Sequence, residues 1–416
     1  MRLQTLIAIL SLQNLLNSNC LLRSCFFIFA CHVLTIPGVS QPVIRSFIPV
    51  SGNSGTPVTI EGTGFSTTPA NNIVYFGAVR ANVAGATDTT LFVTVPEGAT
   101  YQVISVSVSG LAGFSKNPFV VTFDGGGGSF ISNSFLPKVD FSTGMYPHSS
   151  TLADFNNDGK ADVLVARGSS DKVSVFRNTS QNGNIQFDNR QDFATTGFNH
   201  EGCSTADFDG DGKLDFVITN SHNLHSISVY RNNSSSSFIS FDGKIDFAAE
   251  NTPYSVATGD IDLDGKPDIA VVNASSDKLS VYRNTSTPGQ ISFDNRIDIP
   301  VAYSPYGIAI GDLNDDGKPE IVFTTQAGTS SIYVLKNMST GSSISFGTPV
   351  AFASFAGPFT VSIGDLDSDG RPDLVAAGSG ANSVITLRNT SDGGNLSFSL
   401  SQYFFTFKCL IFLLTK

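Results

Sequence analysis

From residue 42 onward, short apolar runs alternate with polar positions and end at Gly, Ser, Asn or Pro. A period of two, closed by such punctuation, is the mark of half-buried strands joined by turns. IRSFIPVSGNSGTPVTIEGTGF reads as a strand, a Gly/Ser turn, an alternating strand and a Gly-x-Gly-Phe turn. NIVYFGAVRANVAGATDTTLFVTVPEGA and YQVISVSVSGLAG add further short strands at similar spacing. Residues 41–123 are therefore expected to form one β-sandwich. No long amphipathic helical pattern interrupts the chain, and the fold class expected is all-β.

The stretch FDGGGGSF follows at 123–130. A glycine run cradles phosphate only where it leads from a strand into a helix, so residues 124–133 read as a flexible linker. From residue 134 the chain repeats itself. Acidic loops begin at Asp154, Asp207, Asp260, Asp312 and Asp365, at intervals of 53, 53, 52 and 53 residues. An apolar run ending in Asn recurs as VSVFRN, ISVYRN, LSVYRN, IYVLKN and ITLRN. A Phe before a polar turn recurs in IQFDNRQDF, ISFDGKIDF, ISFDNRIDI and ISFGTPVAF. Each period thus offers four strands; in the third they are YSVATGD, DIAVV, LSVYRN and ISFDNRIDI. Four antiparallel strands in about 50 residues make one propeller blade, and blades must stack to cover their edges. Residues 134–405 are expected to form a β-propeller of such blades.

The loops carry the most conspicuous chemistry: DFNNDGKAD, DFDGDGKLD, DIDLDGKPD, DLNDDGKPE and DLDSDGRPD. Their shared pattern places oxygen side chains at positions 1, 3, 5 and 9 and Gly at position 6. These are Asp154, Asn156, Asp158 and Asp162, then Asp207, Asp209, Asp211 and Asp215, then Asp260, Asp262, Asp264 and Asp268. Asp312, Asn314, Asp316 and Glu320 follow, and Asp365, Asp367, Asp369 and Asp373 complete the series. Alternate oxygens around a glycine turn suit one Ca²⁺ per repeat, with the backbone carbonyl at position 7 as a further ligand. Mg²⁺ requires a smaller, stricter octahedron. Position 12, where a helix–loop–helix sensor carries Glu, holds Val165, Ile218, Val271, Phe323 and Ala376, so no sensor switch is implied. Paired carboxylates also serve glycoside hydrolysis, but a catalytic pair is needed once and this cluster occurs five times. A scaffold role is the expectation.

Composition agrees. The 416-residue chain has no Trp, 34 Phe, 39 Gly and a net charge of −11. That balance excludes a nucleic-acid partner, which needs clustered Lys and Arg. Five Ca²⁺ would bring −11 to about −1. Arg23 followed by SCFFIFACHVLTIPGVSQ reads as the end of a signal peptide over residues 1–40 with cleavage near Ser40; lipid attachment at Cys31 is an alternative. Its apolar core is too short to span a membrane. Cys20, Cys25 and Cys31 lie in that leader, and Cys203 and Cys409 form no disulfide framework. Cys203 is expected as a buried thiol on an inner strand.

The motif P-x-S-G-x-x-G-T-x-V-T-I-x-G-x-G-F, with V-Y-F-G after it, resembles the IPT/TIG family over most of residues 42–123. This implies an immunoglobulin-like sandwich. The five in-register loops resemble the FG-GAP and VCBS repeats of integrin α-chain propellers and of many bacterial secreted proteins, over 134 to about 402. The resemblance implies a calcium-ligand role for the loop residues named above. Asn156 and Asn314, each in place of a carboxylate, and Glu320 in place of Asp make the first and fourth sites the weaker ones.

That family generally builds seven blades, whereas five loops are present. SFLPKVDF (134–141) matches QFDNRQDF in spacing and is expected as a fourth strand, although LSFSLSQYFF (396–405) already supplies one for the last repeat. With the unrelated tail TFKCLIFLLTK (406–416), this suggests a chain interrupted inside a sixth blade; the rival is a five-bladed ring with a displaced tail. Six residues before each loop lie His148, Glu201, Tyr254, Tyr306 and Phe359, at the expected rim of a central channel. They either hold a ligand such as a sugar or pack between blades. Asn178, Asn232, Asn284, Asn337 and Asn389 sit in N-x-[ST] sequons, where a recurring turn is expected and glycosylation is incidental. The function expected is a non-catalytic, secreted or cell-surface calcium-binding protein that acts in adhesion or in recognition of an extracellular protein or glycan. A second reading is a propeller module of, or accessory to, an extracellular polysaccharide-degrading enzyme.

Overall fold

The computed structural model describes residues 40–122 and 137–405, apart from 182, 223, 302–303, 327–330, 342, 355–356, 368 and 379–382. The segments expected as a signal peptide (to residue 39), a linker (124–133) and an unrelated tail (406–416) lie outside them. Among the described residues no helix is long and apolar enough to cross a membrane.

The first part is a two-sheet sandwich. One sheet sets Val43–Ile48, Pro57–Thr63, Thr90–Thr94 and Val83–Ala86 side by side; the other sets Val79–Ala81, Asn72–Phe76, Val103–Val108 and Leu111–Pro118. Alternation decides which side chains enter: Pro57–Thr63 buries Val58 and Ile60 and turns Thr59 and Glu61 outward. Ile60, Leu91, Val74, Phe76 and Ile104 are fully buried between the sheets, and the Phe119 ring meets Phe76 edge-on at 5.1 Å. This is the immunoglobulin-like sandwich that the sequence motif implies.

Five four-stranded antiparallel sheets follow, each built from consecutive strands. Blade 1 comprises Pro147–Ala153, Asp162–Arg167, Lys172–Phe176 and Gln191–Ala194. Blade 2 comprises Cys203–Ala206, Asp215–Asn220, Ser226–Tyr230 and Ile245–Ala248. Blade 3 comprises Pro253–Gly259, Asp268–Asn273, Lys278–Tyr282 and Ile297–Pro300. Blade 4 comprises Pro305–Gly311, Glu320–Thr325, Ser331–Leu335 and Val350–Ser354. Blade 5 comprises Pro358–Gly364, Asp373–Gly378, Ser383–Asn389 and Phe398–Phe405. The first strands of successive blades neighbour one another in chain order, which gives the propeller-like arrangement. Sandwich and blades belong to one compact unit.

The second strand of a blade explains its unbroken apolar run. Every residue of Asp268–Asn273 is buried, because both faces of the sheet are covered by neighbouring blades. The cores accordingly lie between blades. One joins Leu164 and Val175 of blade 1 to Phe216, Ile218 and Tyr230 of blade 2, and another joins Ala270 and Val281 of blade 3 to Ile321, Phe323 and Leu335 of blade 4. A blade alone would leave those faces wet.

The sequon asparagines supply a second inter-blade tie. Asn284 Nδ2 donates to Pro267 O of its own loop at 2.8 Å and to Phe208 O of the preceding blade at 2.9 Å. Asn232 reaches Phe155 O, Asn337 reaches Ile261 O and Asn389 reaches Leu313 O in the same way, each at 2.8 Å. The amide oxygen accepts the N–H two residues on, as in Ser286 N to Asn284 Oδ1 at 2.8 Å. These four asparagines are buried staples. The Asn-x-Ser pattern is thus a turn whose serine closes the loop, as Ser286 Oγ does on Ser292 O at 3.1 Å.

The fourth strand begins later than the sequence suggests. In blade 3 it is Ile297–Pro300, while the ISF segment before it makes only an isolated bridge, Asn284 to Phe293. The Phe acts as a wedge: the Phe241 ring lies 5.2 Å from Phe155, 4.7 Å from Phe216 and 5.1 Å from Phe193, drawing on two blades. The expectation of a strand over 134–141 does not hold for its described part. Residues 137–141 lie in no sheet, and Phe141 instead packs edge-on against Phe187 at 5.0 Å. Cys203 opens the first strand of blade 2 as a buried thiol 3.5 Å from Ser149 Oγ.

Candidate metal centres

Each acidic loop joins the first and second strands of its blade, and its frame is built by backbone donors. In the third loop, Asp260 Oδ1 accepts the N–H of Asp264 at 3.0 Å and Oδ2 that of Gly265 at 3.0 Å. Asp268, the first residue of the second strand, accepts Ile261 N–H at 2.9 Å and Asn284 N–H at 2.8 Å. Asp264 Oδ1 accepts Lys266 N–H at 3.1 Å. The second and fifth loops repeat these bonds at corresponding positions. Position 6 needs glycine, since its φ lies between 82° and 88° in all five copies.

This frame draws carboxylates together. In the second, third and fifth loops, oxygens at positions 1, 3 and 9 (Asp207, Asp209 and Asp215; Asp260, Asp262 and Asp268; Asp365, Asp367 and Asp373) lie within 4.8 Å of one another. Position 5 stands slightly apart, engaged by a basic residue that the sequence reading did not single out. Arg231 donates from Nε to Asp209 at 2.6 Å and from Nη2 to Asp211 at 2.6 Å, and Arg283 bridges Asp262 and Asp264 likewise. The signal was present: the residue before each repeated Asn is always basic (Arg177, Arg231, Arg283, Lys336 and Arg388).

The first and fourth loops differ. Asn156 Nδ2 donates to Asp158 Oδ2 at 2.9 Å, and Asn314 Nδ2 donates to Glu320 Oε1 at 2.9 Å. In the fourth loop an amide donor therefore faces the position-9 carboxylate, and in the first it faces position 5 and Ser236 O. Among the described residues neither loop gathers three acidic ligands within that radius.

Burial makes these charges costly. It pushes Asp207 and Asp260 up to about 7 and Asp268 up to about 8, with neighbouring carboxylates adding to the rise and backbone N–H bonds opposing it. Asp154 rises to about 6, Asp162 to about 7 and Glu320 to about 7, again chiefly from burial. Oxygen-only and crowded, the second, third and fifth sets fit a hard divalent cation of irregular coordination, and the second and third are the most desolvated.

The rim residues lie at the opposite ends of the first strands. His148 Nδ1 and Glu201 Oε2 are 2.5 Å apart. Tyr254 and Tyr306 have ring centroids 4.4 Å apart, Tyr306 and Phe359 5.1 Å, and Tyr254 and Phe359 5.9 Å. All five positions thus meet neighbours in the series. Burial raises Glu201 against the lowering effect of His148, and raises Tyr254 with help from Glu201.

A sandwich set before blades whose cores and asparagine ties run from each to the next defines a repeat protein of the propeller type. The chain belongs to the FG-GAP-like repeat family, which matches residues 154–218, 207–271, 264–323 and 313–376. An IPT/TIG domain matches residues 42–123. No curated protein matches the chain. Among solved structures it is similar to an auxiliary nutrient binding protein from Bacteroides ovatus, at 15% identity over 84% of each chain with a TM-score of 0.39. It is also similar to an auxiliary nutrient binding protein from Bacteroides thetaiotaomicron, at 14% identity over 81% of this chain and 95% of the other, with a TM-score of 0.27. A rhamnogalacturonan lyase matches at 15% identity over 86% of this chain and 68% of the lyase, with a TM-score of 0.37.

Proposed function

We propose that this chain is a secreted or cell-surface, non-catalytic recognition module whose blades are clamped by Ca²⁺. The observation that carries the reading is the convergence of three carboxylates in the second, third and fifth loops, all three of them buried in the third. Such a cluster repels itself unless a cation sits among its oxygens, and an ion there ties the first strand of a blade to the second. The ligands are the oxygens at positions 1, 3, 5 and 9, with the first and fourth loops weaker because an amide donor stands among theirs. Extracellular calcium sites bind at about 10⁻⁴–10⁻³ M, which ambient calcium outside a cell saturates.

The ligand, an extracellular protein or a glycan, meets the rim end. There His148, Glu201, Tyr254, Tyr306 and Phe359 combine a close histidine–carboxyl contact with aromatic faces, the mix that a polar ligand with apolar patches requires. Calcium titration by calorimetry, followed by glycan and extracellular-protein arrays in calcium or EDTA, tests this. The expected result is calcium uptake by the intact chain and a bound ligand that is lost in Tyr306→Ala with calcium uptake unchanged. Absence of any calcium heat, or a ligand whose binding ignores the rim variants, contradicts the reading.

A further inference from the structure

We infer that the acidic-loop face is an interface, occupied by the chain's own immunoglobulin-like sandwich, and that cation occupancy of the loops holds the sandwich there. The inference rests on the calcium reading above and adds what the clamped loops are presented to.

The sandwich touches all five loops or the strand ends that carry them. At the first, Asp154 N–H donates to Ala78 O at 2.9 Å. At the second, the Tyr75 hydroxyl donates to Gly212 O at 2.9 Å and lies 3.1 Å from Asn157 Oδ1 of the first, joining two loops through one buried ring. At the third, Ala112 N–H donates to Gly265 O at 2.7 Å, and Gln41 Nε2 bridges Ala112 O at 3.0 Å and Asp260 Oδ2 at 2.9 Å. At the fourth, Lys116 pairs with Asp315 at 2.7 Å. At the fifth, the Tyr101 ring lies against Gly364, where an added Cβ would sit 3.7 Å from it.

These contacts read the parts of the loop that wrap an ion. They fall on position 1 (Asp154, Asp260), position 4 (Asn157, Asp315) and position 6 (Gly212, Gly265). Positions 4 and 6 have left-handed backbone, with φ of 54° at Asn157, 62° at Asp315 and 87° at Gly265. Approach is close enough that backbone meets backbone: a Cβ on Gly210 would fall 2.5 Å from Gly110 Cα. One of the sandwich's donors, Gln41, ends on a carboxylate of the third donor set itself. Ion and sandwich therefore stabilise one loop conformation, and each must favour the binding of the other by the same factor. A docked sandwich also bridges blades far apart in sequence and leaves the rim end as the face open to a ligand.

Hydrogen exchange on the full chain in calcium and in EDTA tests the coupling, with calcium calorimetry and melting beside it. The amides of Ala112 and Asp154 donate across the interface, while Ile104 and Val271 lie in the cores of sandwich and blades and report whether both remain folded. The inference expects Ala112 and Asp154 to exchange at least about tenfold faster in EDTA while Ile104 and Val271 stay protected. Through linkage, the double variant Gln41→Ala/Tyr75→Phe should lose roughly fivefold or more in calcium affinity. If calcium binds and raises the melting temperature but the two interface amides exchange alike in both conditions, the coupling is overturned and the calcium reading stands. If calcium neither binds nor affects melting, both fall together.

Discussion

The third and fourth loops hang from corresponding strand ends one blade apart, yet they hold their shape by different means. In the third, Asp260, Asp262 and Asp268 crowd three carboxylates into one space. In the fourth, Asn314 stands where Asp262 does, and its amide donates to Glu320 at 2.9 Å. The turn tightens as well, since Asp312 Oδ1 there accepts from Asp315, the residue at position 4, at 2.8 Å. In the third loop the corresponding oxygen accepts from position 5. An internal N–H thus does in one loop what a cation is proposed to do in the other. The difference teaches that the backbone frame and the carboxylate cluster are separable: position 9 and the glycine turn make the hairpin, and position 3 sets whether three carboxylates gather there.

The largest effect that would break this comparison is expected from Asp268→Ala. It orphans the buried N–H groups of Ile261 and Asn284 as well as removing a proposed ligand, so urea denaturation should show a loss of about 3 kcal/mol or more in calcium. A loss below about 1 kcal/mol would contradict the account of the frame.

Next in size is the pH dependence of the calcium-free protein. Asp207, Asp260 and Asp268 are pushed up to about 7, 7 and 8, against an unfolded value near 3.8. Between those limits the folded chain binds protons that the unfolded chain does not, so stability in EDTA should fall as pH rises from about 4 to 8. Unfolding free energies at pH 5 and pH 8 should differ by at least about 2 kcal/mol, with pH 5 the more stable. In saturating calcium the trend should flatten or reverse, because the ion replaces the protons.

Converting the fourth loop to the third's pattern sharpens the contrast. Asn314→Asp with Glu320→Asp should tighten calcium at that loop, adding one ion to the tightly held stoichiometry measured by native mass spectrometry at limiting calcium. It should also cost roughly 1 kcal/mol in EDTA, where a new carboxylate stands uncompensated. The smallest effect is expected from Arg283→Gln. Its guanidinium, largely covered, bridges Asp262 and Asp264, but Gln keeps an N–H donor for one of them, so its loss should cost about 1 kcal/mol without calcium and less with it.

Much of this architecture was legible in the chain. The period marked by Asp154, Asp207, Asp260, Asp312 and Asp365 located every blade, because a hairpin loop needs the same oxygens and the same glycine in each copy. The alternation in PVTIEGT located a sandwich strand through its two faces. The fourth strand was misplaced, since ISF has strand propensity but its Phe packs between blades and pulls the segment out of the sheet. Asn284 and its counterparts were recognised only as turns. Their amides staple a blade to the one before it, a contact across about 76 residues that no local pattern encodes. The seating of Tyr75 and Gln41 on the acidic loops was invisible for the same reason: each residue reads as an ordinary sandwich position until the loops are folded beneath it.

The central claim is that cations among these carboxylates hold the blades, and thermal melting of the full chain in calcium, magnesium and EDTA tests it most directly. The account predicts a midpoint at least several degrees higher in calcium than in EDTA, with magnesium restoring little of the difference. An identical midpoint in calcium and EDTA would contradict it.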